Sequence, residues 1–176
     1  MNSCETKRFI LKELENKYIN NLYKILSDND VITNLNMPIH KELEDTERLL
    51  NEYKKGLEEG EKYPFEIISK ENNDFVGVFL LKRDLYNEDG FEFTIYLDKK
   101  YWSQGIYTEV LPYMVDYVFE NIKVKNFRGF VKEKNIASRI VLERCGFDLE
   151  KIFDVEGIEG KIYSYLKVNP QKILKK

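Results

Sequence analysis

The stretch that decides the fold is FEFTIYLDKKYWSQGIYTE, residues 91–109. Its first seven residues alternate between apolar and more polar side chains, which is typical of a β-strand with one apolar face. Apolar residues then recur at helical spacing at positions 110, 111, 114, 115, 118 and 119. The stretch therefore predicts a strand, a loop and a helix, with Gly105 where the helix begins.

The start of that helix is a natural site for an anion. The first N–H groups of a helix have no internal partner, and the peptide dipoles place partial positive charge there. Phosphate is the usual anion at such a site, and Gly105 lets the backbone approach it closely because it has no Cβ. Many such junctions bind nothing, and the segment has neither a dinucleotide fingerprint nor a P-loop, so a purely structural reading stays open.

Length and composition indicate one globular domain over residues 1–176, with 43% hydrophobic and 34% charged residues. There is neither an apolar run of the roughly 20 residues that a membrane span needs nor a signal peptide, so we expect no membrane association. The two cysteines fit a reduced cytoplasm, and a single histidine argues against a metal site. A net charge of −3 without a basic stripe argues against nucleic-acid binding.

Periodicity and turn residues predict the element order β-α-α-β-β-β-α-β-α-β-β. The predicted strands are 8–14, 64–69, 75–82, 91–97, 124–132, 148–155 and 161–167, and the predicted helices are 15–27, 44–59, the helix after Gly105, and 136–145. Pro112 predicts a kink in the third helix or a later start of its regular part. The tail from residue 168 to residue 176 is expected to fray.

The segment YWSQGIYTEVL, residues 101–111, resembles the acetyl-CoA loop of the GNAT acyltransferases. It is most similar to the branch of the ribosomal-protein N-terminal acetyltransferases of RimJ/RimL type, which typically shows Trp-Gly-x-Gly-Tyr-Ala-Thr-Glu-Ala here. Trp102, Gly105 and Thr108 match that pattern, as does the glutamate that follows. Ser103 replaces a glycine and Tyr107 replaces a small residue, which adds bulk where the backbone usually meets the diphosphate.

A second segment, NIASRIVLERCGF at residues 135–147, resembles the second GNAT signature. The resemblance implies that Asn135 and Ser138 face the cofactor, although capping of the helix is an equally good reading of Asn135. Many relatives carry a tyrosine that acts as general acid where this chain has Leu142. An acid must then come from another residue.

The resemblance implies an α+β, single-domain GNAT fold, with a mostly antiparallel sheet of about seven strands, splayed central strands and flanking helices. It also implies acetyl-CoA as the co-substrate, without a metal. Pantetheine should lie along the strand that ends at residue 97, as an added strand would. The implied cofactor-binding residues are Ile95, Tyr96, Leu97, Trp102, Ser103, Gln104, Gly105, Ile106, Tyr107, Thr108, Asn135 and Ser138.

The implied reaction is direct attack of a primary amine on acetyl-CoA in a ternary complex. Glu92 is the hypothesis for the base that takes the proton of the amine, against the reading of a surface carboxylate. Ser138 and Tyr163 are the hypotheses for the acid, against readings as a cap hydroxyl and a core residue. The substrate wall is expected from the loop 33–40, where His40 is read as incidental, and from the hairpin 154–161.

Three readings of function remain open at this point. The first is an N-acetyltransferase acting on a protein N-terminus or a small amine, which makes the chain an enzyme. The second is a GNAT-shaped acyl-CoA sensor with little or no turnover. The third is an unrelated scaffold in which the glycine junction is only structural. The acceptor is open, and a monomer and a homodimer are equally compatible with the sequence.

Overall fold

Eight strands and five α-helices make up the computed structural model, which describes residues 3–35, 37–84, 87 and 89–170. The strands are β1 (Cys4–Glu5), β2 (Phe9–Glu13), β3 (Lys62–Ser69), β4 (Phe75–Arg83), β5 (Gly90–Leu97), β6 (Asn126–Lys132), β7 (Asp148–Phe153) and β8 (Ile162–Val168). The α-helices are α1 (Ile19–Leu26), α2 (Asn29–Ile32), α3 (Leu43–Glu58), α4 (Ile106–Tyr117) and α5 (Ile136–Arg144). Short 3₁₀ turns lie at Asn16–Tyr18 and Lys99–Tyr101, and α4 runs into a π-helical turn, Val118–Ile122.

The strands form one sheet in the order β1-β2-β3-β4-β5-β6-β8-β7. β5 and β6 run parallel, with Gly90–Phe93 opposite Asn126–Gly129, whereas the pairs β1–β2, β2–β3, β3–β4, β6–β8 and β7–β8 are antiparallel. The mixed α/β class with a mostly antiparallel sheet is thereby confirmed. The predicted number of about seven strands missed β1, because a two-residue strand is too short to show a pattern.

The chain packs as two compact units. The first comprises Met1–Lys82 and Ile95–Val110, and the second comprises Arg83–Thr94 and Leu111–Lys176. In the first unit, α1 and α3 bury their apolar faces against β3, β4 and the end of β5. The hydroxyl groups of Tyr53 and Tyr96 lie 2.8 Å apart in this core, and burial raises the pKa of both phenols. The side chain of Tyr96 is therefore committed to the core.

The core of the second unit is built on aromatic rings. The ring of Phe93 lies 4.9 Å from that of Phe127 and 5.9 Å from that of Phe147, between centroids. Leu142 on α5 is fully buried, close to Gly129. Phe147 is thus a core anchor.

Most predicted element ends lie within two residues of the observed ones, the four-residue helix α2 was not predicted, and two further expectations need correction. Gly60 and Gly146, directly after the C-caps of α3 and α5, have φ of +72° and +75°, which glycine adopts without strain. α4 already begins at Ile106 and contains Pro112, so the alternative of a later start was wrong. The expected fraying from residue 168 does not hold at Asn169, which is buried and donates from Nδ2 to the carbonyl of Val124. Residues 171–176 lie outside the described part of the chain.

Gly77 on β4 allows a close approach to β5 that no other residue would permit. A Cβ at this position would lie 2.2 Å from the carbonyl oxygen of Tyr96 and 2.8 Å from the Cα of Leu97. Because both are backbone atoms, the contact cannot be relieved by a change of rotamer. Gly77 therefore fixes the last part of β5 against β4.

Replacing Gly77 with alanine should lower the free energy of unfolding by about 1–3 kcal/mol, as overpacking of a core does. Urea denaturation measures this loss. Gly129→Ala is the matched control, because a Cβ there would meet only side-chain atoms of Phe93 and Leu142, at 3.1 and 3.2 Å. Equal losses in the two variants would contradict the backbone contact at Gly77.

Candidate functional site

The loop between β5 and α4 is folded by its own side chains. The amide of Asp98 donates to the carbonyl of Val76, and its carboxylate accepts from the amide of Lys100 to begin the 3₁₀ turn. Burial would raise the pKa of Asp98, but hydrogen bonds from Lys24 and Lys100 outweigh it and hold the pKa below the usual value. Asp98 therefore fixes the beginning of the loop, and its negative charge is paired with Lys24.

The indole of Trp102 supports the loop from within the first unit. Its Nε1–H donates to the carbonyl of Leu97 over 3.2 Å, and the ring packs against the core of α1 and α3. Gln104 is held in a similar way, because its Nε2 donates to the carbonyl of Lys100 over 2.8 Å. The support for the loop thus lies beneath it, and its backbone faces outward.

Two residues of the loop adopt left-handed backbone conformations, Ser103 with φ of +59° and Gly105 with φ of +70°. Glycine adopts this conformation without strain, and the GNAT motif that this segment resembles has glycine at both positions. For a serine it costs on the order of 1–2 kcal/mol. The substitution at Ser103 therefore keeps the path of the loop at a cost in stability.

The consequence of this path is a cluster of unused backbone donors. Five amides of this segment have no hydrogen-bond acceptor within the described residues, namely those of Ser103, Gln104, Gly105, Ile106 and Thr108. The amide of Glu109, in contrast, donates to the carbonyl of Gly105. Backbone amides concentrated at a helix start bind phosphate groups. The predicted anion site therefore has donors available for a ligand.

Glu109 in the first turn of α4 ties the loop to the N-terminal strands. Its carboxylate accepts from the Thr6 hydroxyl at 2.6 Å and from the Arg8 amide and Nε at 2.8 and 2.6 Å. Arg8 Nη2 also donates to the carbonyl of Gln104 over 3.0 Å. Burial would raise the pKa of Glu109, but the hydrogen bonds from Thr6 and Arg8 prevail and hold it below the usual value. Sequence analysis gave Thr6 and Arg8 no role in the site, since only the fold brings residues so distant in the chain together.

In the second unit, α5 presents the second predicted motif. The side chain of Asn135 accepts from the amide of Ser138 over 3.1 Å, so the capping reading of Asn135 is confirmed. The side chain of Leu142 is buried near Phe93, and the position offers no proton to the site. The guanidinium of Arg139 lies 4.0 Å above the ring of Tyr163.

Glu92 is buried, so the alternative interpretation of Glu92 as a surface carboxylate was wrong. It is only 4% exposed and lies opposite Arg128 in the parallel ladder of β5 and β6. Arg128 is 5% exposed; it bonds Asp84 through Nη1 and Glu150 through Nε and Nη2, the latter two at 3.0 and 2.8 Å. Burial would raise the pKa of Glu150, but bonds from Arg128 and Ser164 lower it below the usual value.

This charged cluster was missed by the sequence analysis. Arg128 is a cation within the otherwise apolar run FRGFV, residues 127–131, and that was the available signal. A cation in the middle of a buried strand needs a buried partner, since an isolated charge is costly to desolvate. Asp84 and Glu150 could not be identified as those partners without the fold.

The predicted base and one predicted acid lie on opposite faces of the sheet. Successive residues of a strand point to alternate faces, and directly paired residues share a face. Glu92 pairs with Arg128, whereas Tyr163 pairs with Val131, three residues further along β6. The second unit therefore holds Glu92, Asn135, Ser138 and Tyr163, but it does not bring Glu92 and Tyr163 together.

The loop 33–40 and the hairpin 154–161, which were expected to form the substrate wall, have few described side chains suited to acid or base catalysis. His40 is buried, and its Nδ1 lies 2.8 Å from the Thr46 hydroxyl; burial lowers its pKa, in keeping with a structural role. The carboxylates of Asp154, Glu156 and Glu159 are exposed, and Glu159 pairs with Lys134. In the described part of the chain, no three His, Cys, Asp or Glu residues are grouped to hold a metal ion, and no helix is long and apolar enough to cross a membrane.

Replacing Glu109 with glutamine should lower the free energy of unfolding at pH 7 by about 1 kcal/mol, the difference between charge-assisted and neutral hydrogen bonds. A carboxyl with a lowered pKa stabilises the fold above its unfolded pKa of about 4.3, and this contribution is lost as the pH falls through the folded value. Urea titrations of both proteins should therefore converge once the pH has fallen through the folded pKa of Glu109. Glu47→Gln on the exposed side of α3 is the control, and a pH-independent loss in Glu109→Gln would contradict the prediction.

Comparison with known proteins agrees with this architecture. The family model described as an acetyltransferase (GNAT) domain matches residues 8–148. The probable N-acetyltransferase YjcK of Bacillus subtilis (strain 168) is 32% identical over 111 residues, which cover 62% of this chain and 61% of that protein.

Two solved structures share the fold at low sequence identity. RimL, a ribosomal L7/L12 α-N-protein acetyltransferase in complex with coenzyme A, has a TM-score of 0.82 at 17% identity, over 95% of this chain and 98% of that chain. The spermidine N-acetyltransferase from Vibrio cholerae in complex with CoA and spermine has a TM-score of 0.81 at 16% identity, over 94% and 98% of the two chains. These likenesses show the fold, and the match over most of the chain shows the family, as the two motifs predicted. The chain belongs to the GNAT acetyltransferase family, a family of acyltransferases, and has the RimJ/RimL-like fold.

Proposed function

We propose that this protein is an N-acetyltransferase that moves the acetyl group of acetyl-CoA to a primary amine, with both substrates bound together. The observation that carries the proposal is the cluster of unused amides at residues 103–106 and 108. Membership in the GNAT family supports the same chemistry. When bound, acetyl-CoA supplies an acyl group already activated as a thioester.

The loop fits a diphosphate in charge as well as in donors. Three carboxylates contact the loop or begin it, and each is paired with a cation: Asp98 with Lys24, Glu109 with Arg8, and Asp74 with Lys100. The amides of Ser103 to Ile106 and of Thr108 are the proposed ligands of the diphosphate, together with Tyr107 in the same turn. Trp102 would act from beneath, by keeping the loop in place.

The end of β5 is the proposed site of the pantetheine arm. The ladder between β5 and β6 ends at Phe93, before Ile95, Tyr96 and Leu97. Gly77 lets the backbone of Tyr96 and Leu97 lie close against β4, and the side chain of Tyr96 is engaged with Tyr53. The proposed contact is therefore through the backbone, as an added strand would make it.

Acid and base would act from different faces of the sheet. Glu92 is the proposed base that takes the proton of the attacking amine. Arg128, its neighbour in the ladder, is bonded to Asp84 and Glu150. Ser138 on α5 and Tyr163 on β8 are the proposed acids, and neither hydroxyl donates to an acceptor within the described residues. Protonation of the leaving thiolate by either one would complete the transfer.

The acceptor is proposed only as a class, a protein N-terminus or a small amine. RimL acts on a ribosomal protein and the Vibrio cholerae enzyme on spermidine, so both kinds of amine occur among proteins of this fold. A cytoplasmic setting, favoured by the two free cysteines, and a monomer or homodimer belong to the same proposal.

Release of free thiol from acetyl-CoA, measured across N-terminal peptides, polyamines, amino acids and aminoglycosides, tests the proposed function. Turnover with at least one class of amine is expected. Tight binding of coenzyme A without turnover on any amine would contradict the enzyme and favour the sensor. Failure to bind coenzyme A would contradict both and leave the glycine junction a structural feature only.

Glu92→Gln should lower kcat by roughly 10²–10⁴-fold, the usual contribution of general base catalysis. Steady-state rates from pH 5 to 9 on the best acceptor provide the measurement. Glu156→Gln, an exposed carboxylate in the turn after β7, is the control and should retain the wild-type profile. An unchanged rate and profile in Glu92→Gln would remove Glu92 from the mechanism.

A further inference from the structure

Exposed apolar side chains are concentrated at one edge of the sheet in the second unit. In the described part of the chain, seven large hydrophobic side chains are exposed by 40% or more. Five of them belong to α5, to β7 or to the residues directly after β7, namely Ile136, Ile140, Leu149, Ile152 and Val155. Such a concentration of exposed apolar side chains is typical of an interaction surface.

Leu149 and Ile152 lie on the face of the sheet that α5 covers. β7 is the last strand in the sheet order, so one of its edges has no partner strand among the described residues. Leu149 pairs with Tyr165 of β8 and Ile152 pairs with Tyr163, and directly paired residues share a face. The guanidinium of Arg139 on α5 lies 4.0 Å from the ring of Tyr163, and its Nε donates to the hydroxyl of Tyr165. α5 and the apolar side chains of β7 therefore occupy the same face, and α5 contacts β7.

A bulge gives β7 an irregular order of side chains. The ladder with β8 shifts between Leu149 and Lys151. Lys151 pairs with Ser164, and the carboxylate of Glu150 accepts from the hydroxyl of that serine, so Glu150 and Lys151 share the opposite face. Leu149 and Ile152 are three residues apart and would lie on opposite faces of a regular strand. A regular strand, whose side chains alternate, therefore cannot face all four of these side chains in register.

A second copy of the same strand does match them. If two β7 strands pair antiparallel about a two-fold axis between residues 150 and 151, Leu149 of each copy lies opposite Ile152 of the other, and Glu150 lies opposite Lys151. Apolar side chains then meet on one face and opposite charges on the other. The ammonium group of Lys151 lies 5.6 Å from the ring of Phe153, and no carboxylate bonds it in the described part of the chain, so it is available for this pair.

We propose that the protein forms a homodimer through β7, with two sheets joined edge to edge and Leu149 and Ile152 at the seam. The two-fold axis stands perpendicular to the sheet, so both copies of α5 lie on the same face, where their exposed Ile136 and Ile140 flank the seam. A bulge and charged residues on an edge strand discourage pairing with other strands, and here the same features fit a second copy. The inference depends on the pairing of β7 and not on acetyl transfer.

Sedimentation velocity of the full chain tests the dimer. At about 100 µM, where a complex with a micromolar dissociation constant is nearly complete, the wild type should have twice the chain mass of 21.0 kDa. Leu149→Glu and Ile152→Lys should each weaken the dimer by on the order of 100-fold or more, because a symmetric pair loses two apolar contacts at once. Tyr113→Lys, at a similarly exposed position on α4, is the control and should remain dimeric.

A mixture of Leu149→Glu and Ile152→Lys tests the register. In a mixed dimer the two substituted positions lie opposite each other as a pair of opposite charges, and the second contact is the native pair of Leu149 and Ile152. The mixture should therefore recover the dimer, which would also show that both variants are folded. A monomeric wild type would overturn the proposal, and so would a dimer retained by both variants alone or a mixture that stays monomeric.

Discussion

The proposed site depends on the backbone path at residues 103–106, which leaves the amides there without an acceptor among the described residues. Two left-handed residues, Ser103 and Gly105, set this path, and Trp102 supports it from the core. Glu109 and Arg8 then fix the loop to the N-terminal strands. The amides of the loop are available to a ligand because side-chain hydrogen bonds hold the loop in place, and its own backbone hydrogen bonds are not needed for this.

A second constraint is the burial of charge in the other unit. The other residues of β6 around Arg128 are mostly apolar, and the guanidinium of Arg128 bonds the carboxylates of Asp84 and Glu150. Such a cluster costs free energy to desolvate and is retained only where the bonds are well made. Its place beside Glu92 in the ladder puts this second buried carboxylate on the same face of the sheet as the cluster.

The sequence predicted the parts of this protein that depend on local pattern. The strand–loop–helix junction and the cap at Asn135 follow from periodicity and turn residues over short distances, whereas the sheet class came from the resemblance of the two motifs to the GNAT family. The buried state of Glu92, the Arg128 cluster and the clamp of Glu109 depend on residues far apart in the chain, and local pattern carries no information about them. The strand β1 was missed for a different reason, because a strand of two residues is too short to show a periodic pattern.

The measurement that tests the central claim most directly is a titration of the ¹⁵N-labelled chain with coenzyme A, followed by amide chemical shifts. The amides of Ser103, Gln104, Gly105, Ile106 and Thr108 should shift most and saturate together with one dissociation constant. Large shifts confined to other segments, with these amides unmoved at saturation, would contradict the claim that this loop holds the diphosphate.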